Sequence, residues 1–509
     1  MELKPGNLTF EQLSDFYFDV EVVSLHESCW NDVEASRDVV LQLIDSGDTV
    51  YGLNTGFGLL ANKKISPEDL AQLQVNLVRS HTAGTGPLMS DPVVRMIMML
   101  KATSLARGYS GVRPEVVKIL IDCLNANLIP CIPEQGSVGA SGDLAPLAHM
   151  SLALIGEGQF RVNGEIKDAS SALAGAGVEP LKLQAKEGLA LLNGTQASTA
   201  LAISALLKAK RAFRAAMLAG ALSVDAAKGS DTPFDPRIHA IRNHETQIEC
   251  AAVYRELLIG SEIRESHRDC SRVQDPYSLR CQPQVMGACL TSLLHAQHVL
   301  IREANAVSDN PLVFGDDGSM LSGGNFHAEP VAMVADQIAV ALAEIGSLAE
   351  RRIALLIDKH LSELPPFLIS DGGLNSGFMI PQVTAAALAS EIKHMATPCS
   401  TDSMPTSANQ EDHVSMATYA ARRLHKIVDN VNAIIAIEML AAAQGIDFHE
   451  GLKTSPKLQE VHQQIRKRAE FYDVDRTFHR EIESVRELIS SGEFESVLKC
   501  DRLFGVLPD

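Results

Sequence analysis

Apolar residues in this chain gather into a few long runs dominated by alanine and leucine, separated by stretches where glycine, asparagine and charge break the pattern. The longest run, 196–227, has Gly220 as its only breaker and predicts a helix well beyond the usual globular length. Val285, Met286, Cys289, Leu290, Leu293, Leu294 and Ile301 recur at spacings of three and four, which marks one face of a second helix. Residues 330–356 and 412–443 carry similar Ala/Leu/Ile faces. Residues 72–79 predict a shorter helix running into Ser80-His81 and two glycines. An Asn-Gly pair within 160–166 predicts a hairpin, and 312–321 predicts another.

These elements predict a mainly α fold: a central bundle of long helices, a smaller N-terminal globular region, and few short hairpins. The division expected is 1–200 for the N-terminal region and 201–509 for the bundle and C-terminal helices, together one functional unit. So much alanine lets long helices pack closely. Their apolar faces are broader than one chain covers, so self-association is expected.

Composition narrows the partners. The chain has 46% hydrophobic and 21% charged residues, ordinary for a soluble protein, and a net charge of -19. That charge argues against nucleic acid or an anionic membrane as partner. Nine cysteines without a C-x-x-C pair suit reduced thiols in the cytoplasm better than disulfides or a zinc site. Residues 1–6 lack the basic-then-apolar pattern of a secretory signal. Asp336 and Glu344 interrupt the apolar stretch 331–348 before membrane-spanning length. No repeat or low-complexity linker is evident.

The densest candidate chemistry lies in 136–149, where small residues crowd ahead of Gly142-Asp143. Gly142 has no Cβ, so its nitrogen can approach the Ala140 carbonyl carbon. Attack there with loss of one water closes a five-membered imidazolone. Loss of the Ser141 hydroxyl as a second water leaves an exocyclic methylidene, an electrophile no ordinary side chain provides. The competing reading is a small-residue loop that caps a helix at Asp143.

Other candidates are scattered. Tyr51 opens a glycine-rich loop that lacks the Gly-Lys-Ser/Thr of a phosphate loop. Asn193 stands beside Gly194, where a turn or helix kink is the simpler explanation. Gln274 precedes Tyr277 and Arg280, which share a face if helical. Such an arginine suits a substrate carboxylate, or else a surface salt bridge. Phe326 lies in a glycine loop and Met379 follows another, the latter by default a core gap-filler. Glu411 sits in an acidic stretch expected to open a helix, where the dipole alone favours it. Neither His327-x-Glu329 nor Glu411-Asp412-His413 has the H-E-x-x-H spacing, so no metal site is expected.

Residues 136–151 resemble the signature of the aromatic amino-acid ammonia-lyase family, which carries a self-made 4-methylidene-imidazol-5-one (MIO) group. The resemblance runs from Leu3-Lys4-Pro5-Gly6 to beyond Glu411 and is strongest with the branch acting on histidine. It implies that Ala140, Ser141 and Gly142 become MIO autocatalytically, with Asp143 assisting and no dissociable cofactor. It also implies a homotetramer with the long helices at its centre.

By the same resemblance, Tyr51 and Tyr277 are candidates for removing the β-proton, and Arg280 holds the carboxylate. Asn193 positions the electrophile's carbonyl or the substrate, supported by Gln274, and Phe326 shapes the surroundings of the MIO. Ser80 and His81 read the substrate ring, Glu411 contacts imidazole or amine, and Met379 lines the site. The implied reaction is elimination of ammonia from L-histidine to give urocanate, the first step of histidine degradation. His81 and Glu411 offer an imidazole the polar partners that a phenyl ring would not want. A tyrosine ammonia-lyase, an MIO aminomutase and a purely structural helical oligomer are the alternatives.

Overall fold

A computed structural model describes residues 1–19, 22–46, 53, 55, 65–268, 273–498 and 503–504. Among the described residues the fold is mainly α, with twenty α-helices and no strand longer than four residues. The long apolar runs form Gln196–Ala226, Gln282–Ala304, Glu329–Ile357 and Ala417–Asp447. Gln196–Ala226 is apolar nearly all round and correspondingly buried along most of its length. Gly220 does not break it. A Cβ there would lie 2.0 Å from Gln282 Oε1, so this position gives up helix propensity for close packing.

Both hairpins form. Gln159–Val162 pairs antiparallel with Glu165–Asp168, and Asn163 and Gly164 turn with φ of 52° and 84°. Leu312–Phe314 pairs with Ser319–Leu321.

Two expectations about the long helices change. Asp336 and Glu344 lie within the helix expected over 330–356, but they do not keep its apolar stretch below membrane-spanning length. The Asp336 carboxylate instead accepts from the Cys399 and Ser400 backbone N–H groups and the Ser400 hydroxyl, so its charge is satisfied without breaking the helix. Glu329–Ile357 and Ala417–Asp447 are both long and apolar enough to cross a membrane by composition, and 61% and 94% of their most apolar windows are buried within the protein. The second correction concerns 412–443. The helix begins only at Ala417, because Met416 takes a φ of 54° that a helix cannot continue through.

The chain forms two compact units. The first comprises Met1–Ser204, Gln297–Asp336 and Pro398–Arg422, and the second Ala205–Ala296, Gln337–Thr397 and Arg423–Asp509. Beyond a contiguous 1–200, the first unit therefore takes in two later segments, which carry Phe326 and Glu411. In the second unit Arg352 and Glu438 are fully buried and paired at 2.5 Å, with Ser223 donating to the same carboxylate.

Candidate active site

The 136–143 loop folds back against the turn that follows helix Glu187–Leu192. Gly142 (φ +75°) and Gly194 (φ +134°) form an isolated parallel bridge, and the Asp143 N–H donates to Gly194 O at 2.7 Å. A Cβ on Gly142 would stand 2.2 Å from that same oxygen. Only glycine can occupy the position, on grounds of backbone conformation and of space.

Asp143 occupies the N-cap position of helix Leu144–Leu154, but its side chain makes no capping bond. The carboxylate is wholly buried and accepts from Ser198 N (2.7 Å), Ser198 Oγ (2.9 Å), Thr418 Oγ1 (2.6 Å) and Ser137 Oγ (3.1 Å). Burial pushes its pKa up, and these hydrogen bonds pull against the rise. Asp143 thus pins the loop to two other segments rather than capping its own helix.

Two polar side chains meet Ser141. Asn193 Nδ2 donates to the Ser141 carbonyl oxygen at 3.0 Å, while Asn193 Oδ1 is buried without a hydrogen-bond partner among the described residues. The Ser141 hydroxyl donates to Glu411 Oε1 at 2.7 Å, and Thr406 Oγ1 donates to the other carboxylate oxygen at 2.8 Å. Thr406 and Glu411 also bond through their backbones, closing a tight turn in which Ser407, Ala408 and Asn409 have φ of 53°, 54° and 67°. Glu411 therefore does not open a helix, and the helix-dipole explanation for it falls away.

His81 is the last residue of helix Leu70–His81. Its Nδ1 lies 2.9 Å from Leu77 O, and a carbonyl only accepts, so Nδ1 carries the proton and Nε2 is left as an acceptor. Burial pushes the His81 pKa down, opposed by the Leu77 carbonyl and the Glu411 charge. Ser80 Oγ donates to the same Leu77 carbonyl at 3.1 Å and lies 3.0 Å from His81 Nδ1.

Phe326 is half-buried in the loop before His327. His327, Glu329 and His413, read as separate fragments in the sequence, gather with candidate ligand atoms within 4.8 Å of one another. His327 Nε2 is 3.2 Å from His413 O and 3.4 Å from His413 Nδ1.

The remaining candidates belong to the second unit. Tyr277–Arg280 forms a four-residue helix, with the Arg280 guanidinium carbon 4.7 Å from the Tyr277 ring centroid, so the expected shared face exists. Tyr277 and Gln274 are exposed. Met379 begins helix Met379–Met395 and is 38% exposed, which removes the core gap-filler reading. Tyr51 lies outside the described residues.

Sequence reasoning missed Lys101, Ser137, Ser198, Thr406 and Thr418. Lys101 alone left a signal: it is the one charged residue in the otherwise apolar and small stretch 96–106.

The model of the aromatic amino acid lyase family matches residues 8–467. The chain belongs to this family. The aromatic amino acid lyase span takes in every candidate site residue named above. The histidine ammonia-lyase of Vibrio cholerae is 59% identical over 488 residues, covering 96% of each chain. Among solved structures, histidine ammonia-lyase from Trypanosoma cruzi superposes with a TM-score of 0.92 at 39% identity, covering 100% of this chain and 98% of that one. Tyrosine aminomutase from Streptomyces globisporus superposes with a TM-score of 0.93 at 36% identity, covering 98% of both. The aromatic amino acid lyase fold is thus common to both chemistries, and the backbone does not separate them.

Proposed function

We propose that the protein is a carbon–nitrogen lyase that eliminates ammonia from L-histidine to give trans-urocanate, using an MIO electrophile made from Ala140, Ser141 and Gly142. The observation that carries this reading is the seating of Gly142 against Gly194 with Asn193 on the Ser141 carbonyl. The residues fit the group. A glycine with left-handed φ supplies the nitrogen, the Ser141 carbonyl already has a donor, and the Ser141 hydroxyl has a carboxylate partner.

Ring closure joins Gly142 N to the Ala140 carbonyl carbon. The departing water takes the Ala140 oxygen with the amide hydrogens of Gly142 and Ser141, leaving a double bond between Ala140 C and Ser141 N. The second water takes the Ser141 hydroxyl with its Cα hydrogen. Nothing is oxidised. Asp143, tied to Ser137, Ser198 and Thr418, holds the loop while this occurs. Once formed, the group supplies an electrophilic carbon that divides a difficult elimination into easier steps.

The chain's own side chains do the rest. His81 Nε2 accepts a hydrogen bond from the substrate imidazole N–H, and Glu411 contacts the imidazole or the amine, with Ser80 fixing the His81 ring. Asn193 keeps its amide on the Ser141 carbonyl. Carboxylate clamping by Arg280, β-proton removal by Tyr277 or Tyr51, and supporting contacts from Gln274, Phe326 and Met379 are assigned on family resemblance alone. We place the protein in the cytoplasm as a homotetramer, at the first step of histidine degradation. Exposed Val340 on Glu329–Ile357, with exposed Ile380 and Val383 on Met379–Met395, supports self-association.

Histidine is preferred over tyrosine because His81, on which the Glu411 charge acts, and Glu411 itself offer an imidazole polar partners. The Vibrio cholerae histidine ammonia-lyase, 59% identical over nearly the whole chain, supports the same choice. A substrate panel tests the reading. Urocanate from L-histidine is the expected product. Coumarate or a β-amino acid as the preferred product from tyrosine would contradict it.

A further inference from the structure

We infer that Lys101 is a positioning residue for Asn193: its ammonium holds the turn from Asn193 to Gln196 in the shape that ring closure at Ala140–Gly142 requires. The inference rests on the MIO reading above and extends it to a residue outside the family signature.

Lys101 lies in helix Asp91–Leu105, in which every side chain from Val93 to Leu105 is buried, and is itself 1% exposed. Its Nζ donates to Asn193 O at 2.6 Å and to Gln196 Oε1 at 3.4 Å. Ser308 braces the same turn from another segment, its hydroxyl accepting from Gln196 Nε2 at 3.0 Å and from Thr195 N at 3.2 Å. Between the two braces sit the contacts that matter for closure. Asn193 Nδ2 is on the Ser141 carbonyl at 3.0 Å, and Gly194 O is on the Asp143 N–H at 2.7 Å. The path from Lys101 to the reacting tripeptide is therefore one residue long.

An ammonium in such a place is costly. Burial pushes the Lys101 pKa down to about 7, with Asp309 and Asp143 opposing the fall and Lys186 adding to it. A counter-ion role does not explain why it is there. Asp309 is already paired with Lys186 at 2.7 Å, both buried, and the Asp143 carboxylate bonds to Ser137, Ser198 and Thr418 rather than to Lys101. The strongest contact left for Lys101 is the Asn193 carbonyl, and either protonation state keeps an N–H to donate. Closure of a five-membered ring from a main chain depends on holding the reacting atoms in near-attack geometry, so loss of one brace slows it disproportionately.

The test follows maturation by intact mass, using full-length chains sampled over time after cell-free synthesis. Lys101→Met should fold, judged by circular dichroism and a single unfolding transition, yet lose its two waters at least about tenfold more slowly than the unsubstituted chain. In partly matured samples kcat should fall in proportion to the mature fraction, with KM for L-histidine within about twofold. Lys101→Gln, which keeps a donor, should recover part of the rate. A folded Lys101→Met chain that matures at the normal rate overturns the inference. So does a fall in kcat despite complete maturation. Should Lys101→Met not fold, Ser308→Ala decides, because it removes the opposite brace without changing charge. It must slow maturation too, and a normal rate there overturns the inference. An unsubstituted active chain that never loses two waters would instead sink the MIO reading itself.

Discussion

Gly142 and Gly194 approach so closely that a methyl group on the first would stand 2.2 Å from the carbonyl oxygen of the second. A glycine loop that merely needed flexibility would not require this contact. Gly142→Ala combines a clash with a left-handed φ, a strain of about 1–3 kcal/mol before any repacking. The variant should melt earlier, keep its full unmodified mass, and show only background turnover. Calorimetry and intact-mass measurement on the same preparation check this.

Asn193 is the only side chain that donates to the Ser141 carbonyl among the described contacts. Asn193→Ala removes that donor from a buried site. Donors aimed at a developing charge are typically worth about 10²–10³ in rate. We expect a fall of that order in kcat, and a mature fraction below that of the unsubstituted chain.

His81 gives the pH dependence. Its pKa is pushed below the usual 6.5 by burial, so the folded protein resists protonating it. The stability it contributes is present above 6.5 and is lost as pH falls through the lowered folded value. Protonation also removes the Nε2 lone pair assigned to the substrate ring. Accordingly kcat/KM for L-histidine should hold at neutral pH and fall on the acid side, below 6.5. The substrate imidazole titrates nearby, so His81→Gln is the control. It should lower kcat/KM at neutral pH and flatten the part of the acid limb that belongs to the enzyme.

Stability far from the reacting tripeptide rests on a different feature. Arg352 and Glu438 are both wholly buried and bonded to each other. Arg352→Met strands the Glu438 carboxylate, which typically costs about 3–5 kcal/mol. The variant should unfold at lower denaturant concentration while whatever remains folded still loses two waters.

The fold was legible because its main signal is long-range periodicity: runs such as 196–227 can bury themselves only as helices. Both hairpins were legible from turn chemistry, above all the Asn163-Gly164 pair. The start of the last long helix was not. Ala417 becomes its first residue because Thr406, Glu411 and Met416 adopt local conformations that the apolar pattern of 412–443 conceals. At the site, Ala140, Ser141 and Gly142 were legible from chemistry, since a tripeptide that can cyclise needs a glycine third. Asp143 looked like a helix cap, and only its contacts with Ser198 and Thr418, far away in sequence, show otherwise. Lys101 and Ser308 carry no motif. Their part depends on two distant segments meeting at one turn, which spacing along a chain does not encode.

The reactive carbon between Ala140 and Gly142 is best tested by the intact mass of the active enzyme, measured beside that of Ser141→Ala. The account predicts a subunit two waters lighter than its sequence, turning L-histidine into urocanate, and a Ser141→Ala subunit at full mass without turnover. A fully active enzyme whose mass equals that of its unmodified sequence would contradict it.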